Sequence, residues 1–220
     1  MTIKACVFDA FGTLFQLALP STLINDDRAI NALNICRQKQ LEYSWLYSQM
    51  GAYIPFEEVT KKALAYAYAK LQITDSKFKE QLQTIFLTPN YYDDVLETLK
   101  ELQQNDITCG ILSNGSPKML EGVLDYTGLQ NTFDFVLSAD TVKTFKPNPK
   151  VYQLVVDHLG LIKKELLFVS SNQWDIAGAN NFEFKTAWIN RQNITKEPII
   201  EHTNHRELKS VIDVLRIVCD

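Results

Sequence analysis

The sequence predicts an α/β fold: a Rossmann-like, doubly wound parallel sheet core with an inserted helical cap domain. Three observations predict it. Short apolar runs recur along the chain, each closed by a polar or glycine-containing segment. Between most of them lie stretches of helical periodicity, and strand alternating with helix makes a parallel sheet covered on both faces. The block from Leu17 to Pro89 breaks that alternation and reads as helical throughout.

The elements follow in chain order. Ile3 to Phe8 is apolar and stops at Asp9 and Gly12, a buried strand and its turn. Asp27 to Met50, Phe56 to Leu71 and Ser76 to Phe86 are the helices of the inserted block. Asp93 to Gln104 then reads as helix and Ile107 to Leu112 as strand. Pro117 to Tyr126 is helix, Phe133 to Ser138 strand, Pro149 to Leu159 helix, Leu166 to Ser170 strand, Trp174 to Phe182 helix and Thr186 to Ile189 strand. Right-handed crossovers wind these units into the core. Ser116-Pro117 and Asn148-Pro149 each look like an N-cap followed by proline at the first helical position. The core is therefore residues 1–16 with 90–220, and the cap is 17–89.

A length of 220 residues suits one or two domains. Apolar residues at 46% and charged residues at 22% describe a chain with a real core, not a disordered one. Lys and Arg number 22 against 26 Asp and Glu, a net charge of -4. With no basic excess to neutralise phosphates, nucleic acid is not an expected partner. No apolar run reaches the ~18 residues of a membrane span. Met1 to Ala5 leads into a run that soon meets Asp9, unlike a signal peptide. Cys6, Cys36, Cys109 and Cys219 are scattered with no C-x-x-C pair, and Cys6 and Cys109 read as buried thiols. A cytoplasmic location is the expectation.

In an open α/β sheet, ligands bind beyond the carboxyl ends of the strands. The first strand ends in Asp9-Ala10-Phe11-Gly12-Thr13 and the second in Ser113-Asn114-Gly115-Ser116. Thr144-Phe145-Lys146-Pro147 follows the third, and the fourth ends in Ser170-Ser171-Asn172-Gln173-Trp174-Asp175. Two carboxylates, one ammonium and several hydroxyls and amides thus converge on one edge. Singly, most have a structural explanation. Asn172 with Asp175 three residues on favours a helix start, the glycines permit turns, and a lysine is usually on the surface. Asp9 is the exception, because a carboxylate directly after an apolar strand is costly without partners or a function. On the helix from Asp27, residues Ile30, Leu33, Arg37, Gln38, Leu41 and Trp45 share an arc of roughly 140° at about 100° per residue. Arg37 and Gln38 are therefore expected on the buried stripe.

These segments resemble the four motifs of the haloacid dehalogenase superfamily: Asp9-x-Phe11-Gly12-Thr13-Leu14, Leu112-Ser113-Asn114-Gly115, Phe145-Lys146-Pro147 and Ser170-Ser171-Asn172-x-Trp174-Asp175. Arg37-Gln38-Lys39-Gln40-Leu41-Glu42-Tyr43 and Lys146-Pro147-x-Pro149-x-Val151-Tyr152 are similar to signatures of its type II (S)-2-haloacid dehalogenases. The resemblance runs from Ile3 to about Phe184. It implies hydrolysis of a 2-haloalkanoate through an aspartyl ester on Asp9, with halide and an (R)-2-hydroxy acid as products. It also implies roles. Lys146 neutralises and orients Asp9, and Thr13 and Ser170 hold the Asp9 carboxylate. Asp175 activates the hydrolytic water with help from Asn172, and Tyr152 supports Lys146 or Asp175. Ser113 and the N–H groups of Ala10 and Phe11 meet the substrate carboxylate. Arg37 and Asn114 cradle the halide, Leu41, Phe56, Phe11 and Trp174 line the alkyl pocket, and Gln38 is counted among the substrate-binding residues. A homodimer is implied by the resemblance alone.

Most members of this superfamily are Mg²⁺-dependent phosphatases, the main alternative. That pattern places a second Asp two residues after the nucleophile, where this chain has Phe11, a position often Tyr in the dehalogenases. The fourth motif is likewise less acidic than the phosphatase type. No cofactor and no metal are expected, since Mg²⁺ prefers several hard oxygen ligands. A non-catalytic binding protein of the same fold is the third possibility, weakened by the joint presence of Asp9, Arg37, Lys146 and Asp175.

Overall fold

The computed structural model describes residues 2–218. Met1, Cys219 and Asp220 lie outside the described residues, and with them the thiol of Cys219. The strands are β1 (Ala5–Phe8), β2 (Thr108–Ser113), β3 (Phe135–Ser138), β4 (Leu166–Ser170), β5 (Lys185–Ile189) and β6 (His205–Leu208). They form one sheet in the order β3-β2-β1-β4-β5-β6, with every neighbouring pair parallel. The central strands are short apolar runs because both faces are covered: every residue of β1 and β4 is buried. The order reverses at β1, so the topological switch point lies between β1 and β4, and Asp9 follows directly from β1.

The helices between strands are α4 (Val95–Gln104), α5 (Pro117–Thr127), α6 (Pro149–Leu159) and α7 (Gln173–Asn181). Ser116 caps α5 by accepting the Met119 N–H, and Asn148 caps α6 by accepting the Lys150 N–H. Proline stands at the start of both helices, where a missing N–H costs nothing. Cys6, Cys36 and Cys109 are buried.

Before the alternation begins come three helices, here α1 (Asp27–Gln49), α2 (Phe56–Lys70) and α3 (Ser76–Thr84). They enclose a second apolar cluster that includes Ala29, Ala32, Cys36, Ala63, Leu64, Ala67, Phe78 and Leu82.

One expectation is corrected. The buried stripe of α1 is Ala29, Ala32, Cys36, Gln40 and Ser44, not the stripe through Gln38. Ile30 and Trp45 are exposed, as is Gln38. Small side chains line the α1 contact with Ala63 and Ala67 of α2, so close helix approach, not bulk hydrophobicity, decides which face is covered. The strand β6 and a terminal helical turn, α8 (Leu215–Val218), were also not anticipated. His205-Arg206-Glu207-Leu208 has no apolar run because β6 is an edge strand whose central residues face solvent.

Candidate active site

The turn after β1 places the site. Gly12 adopts φ 89°, a left-handed conformation open to glycine. Its N–H bonds the Phe15 carbonyl at 2.7 Å, while the Ala10 carbonyl accepts from Leu14 and Phe15. This tight turn lifts Asp9 and Thr13 to the same edge. The N–H groups of Ala10 and Phe11 donate to no described residue, so both remain available to an anion.

Asp9 is almost wholly buried and is held from three directions. Lys146 Nζ reaches its Oδ1 at 3.1 Å. Thr13 Oγ1 donates to Oδ2 at 3.1 Å, and Asn172 Nδ2 donates to the same oxygen at 3.0 Å. Thr13 is fixed in turn by the Ser171 N–H, which donates to its oxygen at 2.9 Å. The Ser170 hydroxyl does not reach Asp9, contrary to expectation. It accepts the Asn172 N–H at 3.1 Å and so shapes the turn that aims Asn172. Asn172 is the N-terminal cap residue of α7 by position, yet its side chain makes no capping bond because Asp9 has taken it.

Lys146 has no exposed surface. Its Nζ also bonds Asp175 Oδ2 at 2.9 Å, bridging the two carboxylates. Burial pulls the ammonium toward neutrality, but the charges of Asp175 and Asp9 more than offset it, holding Lys146 above its ordinary pKa. The loop that carries it is anchored on both sides. Asn114 Oδ1 accepts the Lys146 N–H at 2.9 Å, and the Trp45 indole donates to the Lys146 carbonyl at 3.2 Å. Ser48 accepts the neighbouring Phe145 N–H at 3.1 Å. Trp45 and Ser48 therefore join α1 to the Lys146 loop. Neither was anticipated, although Trp45 lay on the expected stripe.

Asp175 is fully buried. Burial, together with the nearby negative charge of Asp9, pushes its pKa up to about 6, against the opposing pull of Lys146 and Tyr152. Tyr152 donates to Asp175 Oδ1 at 2.8 Å. Its own pKa is raised well above the ordinary value by burial and by the Asp175 charge, so the phenol stays protonated and remains a donor.

Arg37 projects from α1, and its guanidinium carries both a desolvation penalty and the attraction of Asp9, with burial holding its pKa below the ordinary arginine value. Its Nη1 donates to Gln40 Oε1 at 2.9 Å. Gln38 lies on the exposed side of the same helix and takes no part. Ser113 is buried and accepts the Gly115 N–H at 3.0 Å. Phe11 and Phe56 are buried, Phe56 against Phe145 with ring centres 5.8 Å apart. Leu41 and Trp174 are half-buried, and Trp174 meets Trp45 edge-on at 5.9 Å.

The donor set does not fit Mg²⁺. The two carboxylates already share an ammonium, the Phe11 side chain offers no oxygen, and no group of three His, Cys, Asp or Glu among the described residues is arranged to hold a metal. A buried aspartate beyond a parallel strand, bridged by lysine to a second aspartate, is the arrangement of a hydrolase that uses a carboxylate nucleophile.

The chain belongs to the haloacid dehalogenase-like hydrolases, whose family model matches residues 3–183. Its relatives narrow the class. It is 40% identical over 196 residues to (S)-2-haloacid dehalogenase 4A of Burkholderia cepacia, covering 87% of this chain and 84% of that protein. It is 43% identical over 195 residues to the (S)-2-haloacid dehalogenase of Xanthobacter autotrophicus, covering 86% and 76%. The solved L-2-haloacid dehalogenase of Xanthobacter autotrophicus with chloropropionic acid covalently bound is similar at a TM-score of 0.87 and 35% identity, over 99% of this chain and 98% of that one.

Proposed function

We propose that this protein hydrolyses (S)-2-haloalkanoic acids to (R)-2-hydroxy acids and halide. The observation that carries the reading is the Lys146 ammonium shared between Asp9 and Asp175. Two buried carboxylates with one ammonium keep a nucleophile and a base ionised side by side.

In the first step, Asp9 attacks C2 of the substrate from the side opposite the halogen. A carbon–oxygen bond forms, the carbon–halogen bond breaks, and halide leaves with the electron pair. Halide needs no proton, so the phenyl ring of Phe11 in place of an acid is no loss. Arg37 and Asn114 receive the halide, and the free N–H groups of Ala10 and Phe11 with Ser113 hold the substrate carboxylate. In the second step, Asp175 takes a proton from water, which attacks the carbonyl carbon of the Asp9 ester. The intermediate collapses, the alkyl oxygen departs with the second proton of that water as the (R)-2-hydroxy acid, and Asp9 is restored as a carboxylate while Asp175 gives its proton to solvent. Helices α1 to α3, residues 17–89, act as a cap that brings Arg37 over the sheet edge. Leu41, Phe56, Phe11 and Trp174 enclose the alkyl group.

The decisive experiment is halide release from (S)- and (R)-2-chloropropionate side by side. The (S)-acid is expected to react with inversion; equal rates for both acids, or retention, overturn the reading. Leu46 and Met50, 48% and 63% exposed at the end of α1, would be available to a second copy in a homodimer, which light scattering decides. The buried thiols of Cys36 and Cys109, in no disulfide, support a reducing, cytoplasmic setting.

A further inference from the structure

Arg37 is the end of a relay. Its Nη1 donates to Gln40 Oε1 at 2.9 Å. Gln40, with no exposed surface, donates through Nε2 to Thr60 Oγ1 at 2.7 Å. Thr60 donates its hydroxyl proton to the Phe56 carbonyl at 2.9 Å. The direction of every bond is forced. A hydroxyl has one proton, and Thr60 uses it on Phe56, so toward Gln40 it can only accept. The amide must then turn its NH₂ to Thr60 and its oxygen to Arg37. The opposite orientation would set an NH₂ against a guanidinium, which has donors only.

The chemistry at position 40 is specific. A carboxylate there would form a buried ion pair and cancel the charge of Arg37. An aliphatic chain would leave a guanidinium N–H buried without an acceptor. The neutral amide fixes the fork and leaves the full positive charge for an anion. We infer that Gln40 is a positioning residue that aims the uncancelled charge of Arg37 at the anion formed in the reaction, with Thr60 setting the amide's orientation. This rests on the reading of Arg37 as the halide-binding cation.

Four variants test it: Thr60→Val, Thr60→Ser, Gln40→Leu and Gln40→Glu. Nitrogen-15 NMR of the ligand-free protein reads the positioning without reference to the reaction. Wild type is expected to show a slowly exchanging Arg37 Nη1 resonance, retained in Thr60→Ser and lost in Thr60→Val and Gln40→Leu. In steady-state halide release from (S)-2-chloropropionate, Gln40→Leu and Thr60→Val should lower kcat/KM about tenfold or more, the scale of one hydrogen bond to a charged group, with the loss in kcat and not in KM, because the halide's charge develops only in the transition state. Thr60→Ser should stay within about twofold. Gln40→Glu should weaken inhibition by added bromide about tenfold, because Arg37 is then paired. Gln40→Leu and Thr60→Val with ordinary kcat/KM and an unchanged Arg37 resonance overturn the inference, and so does lower thermal stability with neither readout altered. If wild type releases no halide, the proposed reaction fails, while the NMR comparison still decides whether Gln40 holds Arg37.

Discussion

The Tyr152 hydroxyl lies 2.8 Å from Asp175 Oδ1, on the oxygen that Lys146 leaves free. That bond helps to hold the Asp175 pKa down, against burial and Asp9, at about 6. As pH falls through about 6, Asp175 gains a proton and can no longer take one from water, so turnover should fall on the acid side. Stability moves the other way. The folded pKa lies above the ordinary 3.8, so the folded protein binds the extra proton first and this group's contribution to stability rises as pH drops from about 6 toward 3.8. Tyr152→Phe removes a donor to the charged form. The acid limb of the kcat profile should shift to higher pH; an unmoved limb would show that another group sets it.

Lys146 balances two buried carboxylates, and Lys146→Ala leaves them facing each other. Halide release is expected to fall by about a thousandfold, as when a group acting within a catalytic unit is lost. Stability should also drop, since removing one member of a buried ion pair typically costs about 3–5 kcal/mol. Lys146→Arg, tested beside it, should recover stability more than turnover, because a planar fork cannot bridge Asp9 Oδ1 and Asp175 Oδ2 as a single nitrogen does.

The covalent step has an isotopic signature. In a single turnover in ¹⁸O-water with enzyme in excess, the hydroxyl oxygen of the product comes from Asp9. The hydroxy acid should be unlabelled, and the peptide containing Asp9 should carry the label by mass spectrometry. Labelled product in that first turnover would make Asp9 a base instead of a nucleophile.

Chelation separates the dehalogenase from the phosphatase. With Lys146 already supplying the cation between Asp9 and Asp175, halide release should survive exhaustive treatment with a chelator. A large loss restored by Mg²⁺ would return the chain to the phosphatase chemistry.

Close packing near the site gives a further check. A methyl group on Gly178 of α7 would come within 2.5 Å of both the Tyr152 hydroxyl and Pro147 Cβ. Gly178→Ala should therefore displace the hydroxyl from Asp175 and destabilise the protein by about 1–3 kcal/mol, the range for overpacking. Thermal unfolding measures the second effect, and the acid limb of kcat the first.

Much of this molecule was legible in the residues alone. β4 at Leu166–Ser170 and α6 at Pro149–Leu159 have the bounds that their patterns predict, because an apolar run closed by polar residues and a proline start are local signals. The convergence of Asp9, Lys146 and Asp175 was legible too, since a parallel sheet gathers its strand ends at one edge. What the tertiary structure decided are matters of partner choice. Ser170 and Asn172 sit two residues apart with equally polar side chains, and only the turn between them sends Asn172 to Asp9 while Ser170 holds the Asn172 N–H. β6 is a strand because β5 offers it a ladder, not because its own residues are apolar. On α1, periodicity favoured the face of Gln38, but alanines pack where larger residues cannot, and the α2 surface selected the face of Gln40. Sequence periodicity records which residues avoid water. It does not record how closely another helix approaches, and that approach decided which glutamine is buried.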